Sequence, residues 1–195
     1  MKKIYLYAAA LSLVNIACNS DELIREDSAV RMVYKTISPS SLTGMIQAIE
    51  KDCQDIKGTD VQSIINATES KAFQNKAFEE LARKGYSKPT VSDQSYISET
   101  NTAEIINRLS YSVTVKSYLY AMLIDSQKFS DDYFNSVTLS GYERELLETV
   151  KVLSDNGGND NDDDNGGIRP IAFAYGYQTS LANAVMMTVM SAVVQ

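Results

Sequence analysis

Apolar residues recur at three- and four-residue steps through much of this chain, and most runs open on a short polar residue suited to capping a helix. That spacing gathers apolar side chains on one helical face, which folding must then bury. Ser38 and Pro39 open the first run, Leu42, Met45, Ile46, Ile49, Cys53 and Ile56 form its stripe, and Gly58 is its expected stop. Gly44 inside it costs about 1 kcal/mol relative to alanine. Thr59 and Gln62 have the form of a capping box. They begin a second stripe through Val61, Ile64, Ile65, Thr68, Ala72, Phe73, Ala77, Phe78 and Leu81 to Gly85. Arg83 and Lys84 suit the negative end of its dipole. The short Gly58-Thr59 joint predicts an antiparallel helical hairpin.

Pro89, several serines and Asp93 predict a loop over 86–100, with Tyr86 and Tyr96 as its contact candidates. Asn101 and Glu104 then cap a long helix through Ile105, Ile106, Leu109, Val113, Tyr120, Leu123 and Ile124. Its middle, YSVTVK, alternates like a strand, but helical flanks decide for helix. A connector with Tyr133 and Phe134 leads to a capping box at Ser140 and Glu143 and a stripe of Tyr142, Leu146, Leu147, Val150 and Leu153. Residues 155–167, DNGGNDNDDDNGG, read as a solvated linker. Asp160, Asp162 and Asp164 alternate like the first ligands of an EF-hand, which leaves a weak Ca²⁺ site as the alternative. The rest of that motif fails, with Asn165 in place of glycine and Ile171 in place of the bidentate glutamate. After Arg169 no charged residue follows. Pro170 and Gly176 predict an extended element over 168–177, and Thr179 or Ser180 starts a final apolar helix. Burial of that helix is favoured over membrane insertion, because Gln178, Asn183, Thr188 and Ser191 interrupt it.

At the other end, Lys2 and Lys3 precede an apolar run from Ile4 to Ala17, broken by two tyrosines, Ser12 and Asn15. A positive start, a short apolar run and a small residue before the cut describe a secretory signal. The run falls short of the roughly 20 apolar residues of a membrane-spanning helix. Ala17-Cys18 resembles the lipobox of bacterial lipoproteins, in which the cysteine is lipidated and becomes the new N-terminus. This chain departs from it at Asn15, where that family has leucine or another aliphatic. Ser20, Asp21 and Glu22 resemble the acidic signal that exports Bacteroidota-type lipoproteins to the outer face of the outer membrane. Asp27-Ser28-Ala29 resembles the O-glycosylation motif of the same group, with Ser28 as acceptor. The resemblance covers residues 1–29 and concerns sorting alone. It implies acyl chains such as palmitate on Cys18, outer-membrane attachment and cell-surface exposure.

Loss of residues 1–17 removes Lys2 and Lys3, taking 18 basic residues to 16 against 25 acidic ones, a net charge of −9. Such a chain repels nucleic-acid backbones, which excludes a nucleic-acid partner. The chain has no histidine, which removes Ser-His-Asp and Cys-His nucleophile systems and most zinc sites. With Cys18 lipidated, Cys53 has no disulfide partner, and its place in an apolar stripe makes it a buried small hydrophobe. Lys51 and Lys57 lie near it in sequence but on a solvated face. Glu79-Glu80 and Glu143, Glu145 and Glu148 also read as solvated faces.

The expected organisation is a signal (1–17), a tether (18–37), a helical domain (38–154), an acidic linker (155–167) and an apolar C-terminal segment (168–195) packed on that domain. The expected fold is all-α, a four- to five-helix bundle with a short extended element near the C-terminus. The expected function is a non-catalytic membrane-anchored lipoprotein whose domain binds an envelope or host protein or a glycan, with no cofactor beyond the lipid on Cys18. One alternative is a protective, immunity-like or accessory lipoprotein of an envelope complex. The other is a weak carboxylate-based hydrolase.

Overall fold

Side-chain caps set the helix boundaries in the computed structural model, which describes residues 37–58, 60–130, 132–156 and 167–194. Among these residues the fold is all-α, with nine α-helices, one 3₁₀ turn and no strand. The helices are α1 (Pro39–Cys53), α2 (Val61–Ala72), α3 (Lys76–Ala82), α4 (Val91–Glu99) and α5 (Thr102–Arg108). They continue with α6 (Val113–Leu123), the 3₁₀ turn Tyr133–Ser136, α7 (Gly141–Asn156), α8 (Ile168–Tyr177) and α9 (Leu181–Val193).

The helices are shorter and more numerous than the four or five expected, for local reasons. α1 stops at Cys53, before Gly58. Gly58 serves packing instead, since an added Cβ would lie 2.4 Å from Ile64 Cγ1. Asp60 caps α2 by accepting from the Ser63 amide at 2.9 Å, while the expected cap Thr59 lies outside the described residues. The expected second helix breaks after Ala72, where Asn75 accepts from the Ala77 and Phe78 amides and starts α3. Gly85 follows at φ +137°, a conformation that favours glycine.

The segment read as a loop holds α4. Thr90 and Asp93 close a reciprocal capping box there, the aspartate standing where glutamate or glutamine is usual. The long helix over 101–124 is two helices. Between them the Ser110 amide donates to Gln178 Oε1 at 2.6 Å and the Tyr111 hydroxyl to the Ala174 carbonyl at 2.7 Å. Ser112 then caps α6, so tertiary bonds replace the helical ones lost at the break. The capping box at Ser140 and Glu143 opens α7.

The expected extended element at 168–177 is α8. Pro170 lies in its first turn, where an amide has no helical acceptor to lose, so it does not break the helix. Gly176 near its end lets α8 press against α9: an added Cβ would lie 2.5 Å from the Asn183 carbonyl oxygen.

α9 is the centre of the core. Every residue from Ala182 to Ser191 is buried, and the helix packs on α8, α1, α2, α3 and α4. Its polar groups are satisfied in place. Thr188 donates to the Ala184 carbonyl and Ser191 to the Thr188 carbonyl. Asn183 accepts from the Ser87 amide at 2.9 Å and donates to the Ser87 carbonyl at 2.7 Å, tying the segment after α3 to the start of α9. α7 completes the packing against α8, α1 and α6.

Candidate functional site

The connector between α6 and α7 is pinned by an aromatic cluster. Tyr118, Phe129, Tyr133 and Phe134 pack so that every pair of ring centroids lies 4.7–5.9 Å apart, four of the six pairs edge to face. That geometry sets the positive rim of one ring on the negative face of another. Phe134 is fully buried and anchors the group, while the other three rings are half-buried. A hydrogen bond with Tyr133 leads the effects that raise the Tyr118 hydroxyl pKa. Val113, Tyr120 and Ile124 share an outward stripe of the same helix, and Val113 is 81% exposed.

A cleft of about 230 Å³ adjoins the cluster, lined by Met122, Ser126, Lys128, Phe129, Lys151 and Asp155 among others. Ser126 sits at φ +53°, and the following Gln127 amide donates to the Ala121 carbonyl at 2.8 Å. The Lys151 ammonium meets Asp155 at 3.1 Å.

A second depression of about 290 Å³ lies where α1 and α8 meet the end of α9, lined by Glu50, Cys53, Gln54, Arg169 and Val193 among others. Arg169 Nη2 donates to Glu50 Oε2 at 2.6 Å, with only 23% and 18% of the two side chains exposed. Glu50 Oε1 and Arg169 Nε are buried without a hydrogen-bond partner. Nε and Nη2 share one edge of the guanidinium, so the pair is set for a side-on contact of which one limb is closed. Burial pushes the Glu50 carboxyl above its ordinary range and outweighs the pull of Arg169. The pair fixes α8 on α1 and leaves no unpaired buried charge. Cys53 is 1% exposed, and burial, reinforced by Asp52, raises its thiol, so the sulfur stays protonated and packed.

Of the residues singled out from sequence, Cys18, Ser20, Asp21, Glu22 and Ser28 lie outside the described residues, as do Asp160, Asp162 and Asp164. Three of the acids read as solvated faces have structural partners, Glu145 through a hydrogen bond with Tyr177. Glu79 pairs with Arg83, and Glu143 accepts from Ser140 and Ser112. Tyr86 donates to Glu69 and packs edge to face on Phe73 and Phe78, while Tyr96 rests against Tyr175. Among the described residues no group of three or more Cys, Asp or Glu side chains is placed to hold a metal, and no helix is long and apolar enough to cross a membrane.

The aromatic cluster is the feature that sequence reasoning missed. Tyr133 and Phe134 stand out in sequence as connector residues, but their partners do not: Tyr118 is off the apolar stripe of the expected long helix and Phe129 lies beyond that stripe's last residue, Ile124. Comparison with protein-family models, curated proteins and solved structures returns no match. The arrangement offers ring faces, tyrosine hydroxyls and the exposed Lys128, which is the chemistry of contact with a macromolecule or a sugar.

Proposed function

We propose that this chain is a bacterial lipoprotein, held to the outer membrane by acyl chains on Cys18 and exposed at the cell surface. Its helical domain engages an envelope or host protein or a glycan through the surface around α6 and its connector. The observation that carries this reading is the run from Lys2 to Glu22: a positive start, a short apolar stretch, Ala17-Cys18 and an acidic sequel. Burial of α9 supports it, because the long apolar tail occupies the interior of the domain and is not free to serve as anchor or contact. The same burial weighs against the accessory reading in which that tail is the contact element.

Metabolic labelling with an alkyne fatty acid, combined with protease shaving of whole cells, tests the proposal. The expected result is label on the protein and loss of the domain from intact cells. Label without shaving would place the domain on the inner face, and absence of label would remove the anchor altogether.

A further inference from the structure

We draw no further inference here: the strongest candidate, the cleft beside Phe129 at the α6–α7 connector, is lined in part by Asp155 and Gly167, and nothing in the structure shows what covers it.

Discussion

At the scale of single residues, two helical glycines make opposite predictions. A methyl group on Gly176 would meet backbone atoms of Asn183 and Ala184 at 2.5–2.8 Å, and backbone cannot turn aside as a flexible side chain can. Gly176→Ala is expected to destabilise the domain by about 1–3 kcal/mol, the usual cost of overpacking. Gly44 lies inside α1 with nothing within 4 Å of an added Cβ, so Gly44→Ala should stabilise by about 0.5–1 kcal/mol. Urea unfolding of the two variants beside the parent checks both signs. The Glu50–Arg169 pair adds a dependence on pH. Burial raises the folded pKa of Glu50 above its ordinary 4.5, so the folded state holds that proton more tightly than the unfolded chain. Stability from this group is therefore present below pH 4.5 and lost as pH rises through the folded value. Arg169→Ala strips away the compensating charge and should cost about 3 kcal/mol at neutral pH, the low end for a buried pair because both side chains keep some exposure. That deficit should shrink toward pH 4, where Glu50 can enter the fold protonated. Equal deficits at both pH values would show that the guanidinium acts through packing alone.

At the scale of elements, caps do much of the work, and two of them titrate. Burial alone would raise Asp93 and Glu143. The Thr90 groups and the Tyr175 hydroxyl outweigh it at Asp93, and Ser140 and Ser112 do so at Glu143, so both carboxyls fall below their ordinary values of 3.8 and 4.5. Their contribution is present above those values and is lost as pH falls through the folded ones. Asp93→Asn with Glu143→Gln should flatten the acid limb of the stability–pH curve, and an unchanged limb would count against these caps. Elements were legible where one stripe and one cap agreed, as at Ser38, Ser140 and Ser180. They were misjudged where long-range bonds decide. The break at Leu109–Ser112 depends on Gln178 and Ala174, residues more than sixty positions away, which no local pattern announces. α4 was hidden because aspartate replaces glutamate in its box, and α8 because proline in a first turn looks like a breaker. None of the residues singled out for lipid, export, glycan or calcium lies in the described domain, so their reading rests on local motif alone. α9 makes the sharpest element-scale prediction. It supplies the centre against which five other helices pack, so a chain ending before Leu181 should lose its cooperative thermal transition. A sharp transition in the truncated chain would mean that the remaining helices form a core without it.

At the scale of the whole molecule, the proposed sorting segment at the N-terminus is distinct from a domain that buries its own apolar tail. The domain brings an aromatic surface and a set of satisfied caps, and the first residues carry the proposed attachment. The two parts make independent predictions about where the protein resides and what it touches. Tyr120→Ala with Ile124→Ser changes only the outward stripe of α6, so it should leave the unfolding free energy within about 0.5 kcal/mol of the parent. It should also reduce recovery of whatever envelope or host component co-purifies with the intact protein. Undiminished recovery would move the contact surface elsewhere on the domain. Attachment is tested most directly by detergent phase partitioning with intact-mass measurement, comparing the parent chain and Cys18→Ser expressed in a Bacteroidota host. The parent is expected to enter the detergent phase carrying the mass of its acyl chains, while Cys18→Ser stays in the aqueous phase without them. Identical partitioning and no acyl mass on either protein would contradict that expectation.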